Sequence, residues 1–463
     1  MDVNFFLFLF SLAVILISLF RFDVAISLFI CVKIFVPKAL NLYDFPGFPV
    51  ISYDRFILFA LILVFAVKLI KYKSCRLHVK EFPLHRAMIG LALSALISTI
   101  FSVSSMTVGI NRLISTVIEG YVMLVMVWFS FRHKDQIMKT YKWILFLLFL
   151  TTIYGLINYV TKENGFITWL MDKMEDSDKT LLFSYDMASE RFGITGRVQS
   201  IFMHPMVFGL YLVFFSSVTL LLLINKKKQD KIFYGVLLVF FAINIFFTNS
   251  RTPLIALIMV LLTILYYLKK LKPVLIVTSV VVIGYLLISE ENNVVLRLFK
   301  SIVFFWIPDD DVGGSSLEMR YLQLLYALAL FSQSPVTGLG LGAMRDLIND
   351  GSDLLGGESI LFWILVEQGI IGLIFFLYSF WCIFNKARKY CKASLEENDR
   401  MISIATLAVI PAYFLFIILT GELSTMPVFY IFIAMGFKHH YLQQNEESEA
   451  EHVFAGIPEI TES

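Results

Sequence analysis

Six arginines stand in or beside three connections between apolar runs: Arg191, Arg197, Arg251, Arg297, Arg320 and Arg345. A guanidinium presents a planar fork that binds phosphate oxygens in a bidentate way and keeps its charge under partial burial, whereas lysine offers a hydrated point charge. Lysines number only four in the same connections (Lys162, Lys173, Lys179, Lys300). The balance points to a phosphate or diphosphate ligand. Arg251, in Asn249-Ser250-Arg251-Thr252-Pro253, occupies a short turn with Pro253 suited to a first helical turn. Arg197 precedes Phe202-Met203-His204-Pro205 at the start of another apolar run, and Arg320 lies on a segment of helical period. Glu358, in Gly356-Gly357-Glu358-Ser359, leads directly into the apolar run 360–384, where the helix dipole favours a carboxylate able to accept a proton. Each candidate also has a plainer reading. The arginines snorkel or pair with nearby acids, Glu358 caps its helix, and His204 is a polar residue at an interface rather than a ligand contact.

Two further features accompany them. Ser334-Pro335-Val336-Thr337-Gly338-Leu339-Gly340-Leu341-Gly342 is a glycine-spaced turn that either binds or simply brings backbone close to the membrane. Glu367 lies inside an apolar run, where an acid is costly and requires a partner or a water-filled cavity.

The elements that must position these groups are membrane helices. Of 463 residues 58% are hydrophobic and only 16% charged, against roughly 25% charged in soluble domains. Thirteen apolar runs are long enough, or nearly so, to cross the bilayer, at 4–20, 22–36, 56–70, 87–103, 110–131, 143–161, 205–224, 232–248, 252–268, 273–288, 359–384, 401–420 and 426–437. Two are short, so 12 to 14 spans are expected. The first run lacks a basic leader and a small-residue cleavage site after Phe20, and reads as a retained anchor. Alternate connections (68–86, 132–142, 226–231, 269–272, 386–400) hold 17 lysines and five arginines and are assigned to the cytoplasm. That parity puts the N-terminus and the connections 162–198 and 289–358 outside. The external pair is acidic, with seven acids to five bases and ten to four. Loops of that length are commonly functional. Within the larger, 317–331 has apolar residues at helical spacing and reads as a helix lying on the membrane surface. The expected organisation is N-terminal helices 1–161, an external loop 162–198, central helices 199–288, a large external loop 289–358 carrying the chemistry, C-terminal helices 359–440 and a disordered cytoplasmic tail 441–463.

Several classes are disfavoured. A net charge of +2 gives no polyanion signature, so nucleic acid is not an expected partner. Cys31, Cys75, Cys382 and Cys391 fall in helices or cytoplasmic connections and imply no disulfide framework. Neither their spacing nor the seven scattered histidines fits a metal site. Phosphate-loop, dinucleotide-binding and Gly-x-Ser-x-Gly patterns do not occur.

Asn249-Ser250-Arg251 opening an apolar run, Arg320 through Gly342, and Glu358 through Phe376 with Glu367, Gly369 and Gly372 together resemble the O-antigen ligase and Wzy-type polysaccharide polymerase superfamily. The resemblance spans roughly 195–385. It implies an all-α polytopic membrane glycosyltransferase of GT-C type, which takes saccharides from undecaprenyl diphosphate without metal or other cofactor, with the active site facing the periplasm or exterior of the bacterial cytoplasmic membrane. Arg251 and Arg320 fall where the family engages the diphosphate, with Arg197, His204, Arg191 and Arg345 as further substrate contacts. Lipid A-core ligases carry a His-Asn pair where this chain has Glu358, which favours a polymerase, and a polymerase leaves room for a chain-length regulator as partner. A ligase acting on lipid A-core or protein is the nearest alternative. A transporter of lipid-linked oligosaccharide is the alternative of another class; it would show broken helices and mid-membrane ionisable groups.

Overall fold

The computed structural model describes residues 3–43, 50–72, 80–173, 190–191, 194–225, 228–269, 317–349, 357–393 and 397–455. These are almost entirely helical. Two adjacent helices, α1 (Val3–Phe20) and α2 (Phe22–Phe35), lead through a short hairpin (β1, Asn41–Tyr43; β2, Ile51–Ser52) into α3 (Tyr53–Lys71) and α4 (His85–Ile100). The next span begins as α5 (Met106–Leu113), widens into a π-helical stretch over Ile114–Val122, and ends as α6 (Met123–Ser130). Then come α7 (Lys134–Thr161), α8 (Gly165–Lys173), a two-residue hairpin (β3, Glu190–Arg191; β4, Ile194–Thr195), α9 (Pro205–Asn225), α10 (Lys228–Phe247) and α11 (Arg251–Tyr267). The last part contains α12 (Leu317–Gln333), α13 (Ala343–Asn349), α14 (Ile360–Ala393), α15 (Glu397–Leu419) and α16 (Met426–Ala455).

Every expected apolar run but one coincides with a helix, and 273–288 lies outside the described residues. Six helices among the described residues are long and apolar enough to cross a membrane, and three more are apolar but shorter. Burial separates centre from rim. The most apolar stretch of α9 is 83% buried and that of α15 72%, against 28% for α10, so α9 and α15 form the axis that others surround. Aromatic rings fill the space between them. Tyr413 stacks on Phe429 with centroids 4.2 Å apart, and Phe214 meets Tyr413 edge-on at 5.6 Å. Such contacts substitute for the hydrophobic drive that lipid, itself apolar, does not supply between helices.

A helix does form over the segment of helical period, as α12, with Leu322, Leu325 and Leu328 exposed along it. The expected tail differs. The chain does not leave its helix at 441, because α16 continues to Ala455, and His439, His440, Leu442 and Gln443 are buried, with His440 4.1 Å from the Tyr390 ring. Packing at that end of the bundle keeps the helix going past the point where apolar periodicity fades. Residues 456–463 lie outside the described part.

Helix α14 is broken at Gly369, whose φ of 63° and ψ of −161° no helix accommodates. In an unbroken helix the Ile370 and Ile371 amides would bond the carbonyls of Val366 and Glu367. Here the glycine-spaced turn intervenes on both sides. Ile370 N–H donates to the Pro335 carbonyl (2.9 Å) and Ile371 N–H to that of Val336 (3.5 Å), while the Val366 and Glu367 carbonyls accept from Leu339 (2.8 Å) and Gly340 (3.0 Å). The turn therefore satisfies the polar backbone that the break exposes, as apolar surroundings demand. Gly338, at φ 75°, faces the Glu367 carbonyl so closely that a β-carbon would collide with it.

Candidate functional site

Arg320, in the first turn of α12, and Glu358, just ahead of α14, meet. Arg320 Nη2 lies 3.4 Å from Glu358 Oε2 and donates to the Leu419 carbonyl at the end of α15 (3.2 Å). About a third of each side chain stays exposed, so the pair is open to a ligand. Glu358 is fixed by its neighbours: its amide donates to Gln323 Oε1 on α12 (3.3 Å), and Ile360 N–H donates to the Thr420 carbonyl (3.0 Å). It sits just ahead of α14, as expected from the sequence.

Arg197 is buried and works on the backbone. Its Nε donates to the Thr248 carbonyl (3.3 Å) and its Nη2 to Ser250 Oγ (2.6 Å), which clamps the turn that presents Arg251. Asn249 takes a left-handed φ of 49° in that turn and Ser250 precedes α11 in extended conformation, its hydroxyl donating to the Thr248 carbonyl (3.0 Å) rather than capping the helix. Helix α11, which Arg251 opens, packs along α15, the helix whose Leu419 carbonyl accepts Arg320. His204 Nδ1 accepts the Met206 amide (3.0 Å), capping α9. Arg345 is exposed on the short α13. The backbone of Arg191 lies in β3, and its side chain is outside the described residues.

Glu367 has both the partner and the cavity that its position requires. Its Oε1 accepts the Gly342 amide (3.1 Å), and its Oε2 lies 3.5 Å from Arg112 Nε. The Arg112 guanidinium also stands over the Trp363 ring, 5.5 Å from its centroid. Lys38, Arg112, Ser115, Thr116, Glu367 and Gln368 supply polar walls to a cavity of about 210 Å³. Behind Lys38 lies a second layer of charge. Glu119, fully buried on the π-helical stretch, accepts from Lys38 Nζ (2.9 Å), Arg55 Nε (2.8 Å) and Lys33, and Lys33 also reaches Asp54 (2.6 Å). Arg55 spans further to Asn111 Oδ1 (2.8 Å) and Ser115 Oγ (3.0 Å). Desolvation, reinforced by Lys33, lowers the Lys38 ammonium below the ordinary lysine value.

None of Lys33, Lys38, Asp54, Arg55, Arg112 and Glu119 was expected from the sequence. The signal was present: Lys33, Arg112 and Glu119 interrupt apolar runs, the same feature that marks Glu367. Among the described residues no group of three or more His, Cys, Asp or Glu side chains is placed to hold a metal ion.

Six helices among the described residues long and apolar enough to cross a membrane define the class, a multi-pass membrane protein, in which Arg320 and Glu358 meet ahead of α14. Residues 236–377 match the family model described as O-antigen ligase, and the match bears out the resemblance to the O-antigen ligase and Wzy-type polymerase superfamily. The matched segment contains Arg251, Arg320, Glu358, the glycine turn and the break at Gly369, but neither Arg197 nor Arg112. The chain matches no curated protein.

Proposed function

We propose that this chain transfers saccharide from polyprenyl diphosphate and polymerises lipid-linked oligosaccharide repeats into a surface polysaccharide at the external face of the bacterial cytoplasmic membrane. The observation that carries this reading is the Arg320–Glu358 contact at 3.4 Å, a guanidinium of the kind that binds phosphate touching a partly exposed carboxylate. Arg251 and Arg320 stabilise the negative charge that builds on the diphosphate as its bond to the anomeric carbon breaks, which is the charge a catalyst must favour. The acceptor hydroxyl oxygen attacks that carbon from the opposite side, its proton passes to Glu358, and the configuration inverts. Arg320 serves both partners in turn. An arriving diphosphate competes with Glu358 for the guanidinium, and the carboxylate then accepts the proton as base. Arg197 contributes by holding the turn of Arg251, and Arg345 and Arg191 are assigned as further substrate contacts.

A ligase reading is supported by the description of the matching family, O-antigen ligase. The chemistry is the same and the acceptor differs. The test is reconstitution with polyprenyl-diphosphate-linked repeats from the host. A product ladder with no other acceptor supports polymerisation, and a single product formed only when lipid A-core is added assigns a ligase. Movement of unaltered lipid-linked repeat across the vesicle membrane would assign a transporter and overturn the enzymatic reading.

A further inference from the structure

The region around Glu367 and the Arg320–Glu358 pair are joined through Trp363, near the start of α14. A helical side chain leans toward its own N-terminus, and this one reaches back over the first turn. Its indole Nε1 donates to the Gly357 carbonyl (2.7 Å), and the Arg112 guanidinium stands over its ring, 5.5 Å from the centroid. That carbonyl belongs to the peptide bond whose N–H is that of Glu358, and this N–H donates to Gln323 Oε1 at 3.3 Å. A peptide unit is planar and ends on the next Cα. Holding its oxygen and its hydrogen from opposite edges therefore sets the Cα from which the Glu358 carboxylate projects. The bond from Trp363 is the shorter of the two.

The surroundings keep the indole on that carbonyl. Gly357 is buried, and a β-carbon there would lie 2.9 Å from Met344 Cε and 3.1 Å from Trp363 Nε1. A β-carbon at Gly421, just past the end of α15, would collide with the Gly357 carbonyl itself. The glycine turn approaches from the other side. Gly342 N–H holds Glu367, Glu367 faces Arg112, and Met344 follows directly in α13. Docking of the turn into the break of α14 is thus tied to the peptide ahead of Glu358 by two routes, through Arg112 and through Met344.

We infer that Trp363 is the positioning residue for Glu358: its indole fixes the Gly357–Glu358 peptide, and with it the direction from which the carboxylate meets Arg320 and the acceptor hydroxyl. The role rests on the proposed reading of Glu358 as base, and Trp363 acts through that carboxylate rather than on the substrate.

Steady-state turnover of the reconstituted full chain on polyprenyl-diphosphate-linked repeat, with Trp363→Phe made alone and together with Glu358→Gln, tests the role. Phenylalanine keeps a ring under Arg112 and removes the N–H donor. The expected result is a melting temperature close to the parent's, an unchanged KM, and kcat lower by roughly three- to tenfold, the worth of one hydrogen bond that sets a reacting geometry. In the Glu358→Gln background Trp363→Phe should cost nothing further, because residues that act as a unit are not additive. Gly421→Ala displaces the same carbonyl from the side of α15 and is the second probe; it should give the same pattern if Trp363→Phe does not fold. An unchanged kcat, a raised KM at constant kcat, or an equal loss in both backgrounds would overturn the role and leave Glu358 as base. Full activity in Glu358→Gln alone would instead remove the base from the reaction, and the positioning role with it.

Discussion

Two groups of opposite charges stand in the bundle, and they are built differently. Arg320 and Glu358 form one contact at 3.4 Å with about a third of each side chain open. Glu119 is fully buried and takes three cations, one of which also takes Asp54. An exposed pair contributes little to stability, roughly 0–1 kcal/mol, and can open for a ligand at small cost. A buried carboxylate among three cations cannot open without leaving charge stranded in a medium that does not solvate it. The first is suited to exchange partners during a reaction and the second to fix helices α2, α3 and α5 so that Lys38 and Ser115 face the cavity. Similar residue types thus serve opposite ends according to redundancy and burial.

The largest effect expected is at the redundant group. Glu119→Gln removes the charge that holds Lys33, Lys38 and Arg55 together and should cost about 3–5 kcal/mol, the usual loss when one member of a buried ion pair is removed. Little monodisperse protein should survive detergent extraction and size-exclusion chromatography. A well-folded Glu119→Gln would show that the cluster is solvated, and the contrast with the exposed pair would fail. Glu358→Gln should do the reverse, with normal extraction but turnover reduced by roughly 10²–10⁴, the span of a positioned general base. Full activity in that variant would remove Glu358 from the chemistry. Arg320→Lys keeps the charge and loses the fork. It should reduce turnover by on the order of ten- to a hundredfold, the worth of one charged hydrogen bond, as read in single-turnover assays on lipid-linked repeat.

The contrast also divides what the sequence made legible. Arg320, Glu358 and Arg251 stood out because they fall at the ends of apolar runs, where charge is conspicuous, and α12 was legible from its period alone. Lys33 and Glu119 could be read as charges interrupting the runs 22–36 and 110–131, but that they meet could not, because their partners lie 21 to 86 positions away in the chain. The glycine turn was legible as a turn, but its docking into the break at Gly369 depends on a pairing of two distant backbones that no local pattern encodes. The continuation of α16 past 441 was hidden for the same reason. His439, His440 and Gln443 look like the start of a polar tail until the neighbours that bury them are known.

The smallest effect expected is at His204, which the sequence grouped with the substrate contacts and the structure places at the head of α9. Its Nδ1 accepts the Met206 amide, one of the donors that the first turn of a helix leaves unpaired. His204→Ala should therefore lower stability by about 1 kcal/mol, the common value of a lost cap, read as a reduced melting temperature in detergent. Asparagine caps as well as any residue, so His204→Asn should restore the melting temperature and the turnover together. Restored stability with turnover still depressed would mean that the imidazole itself meets the substrate, and His204 would then belong beside Arg320 and Glu358 in the open region rather than with the groups that hold the bundle in shape.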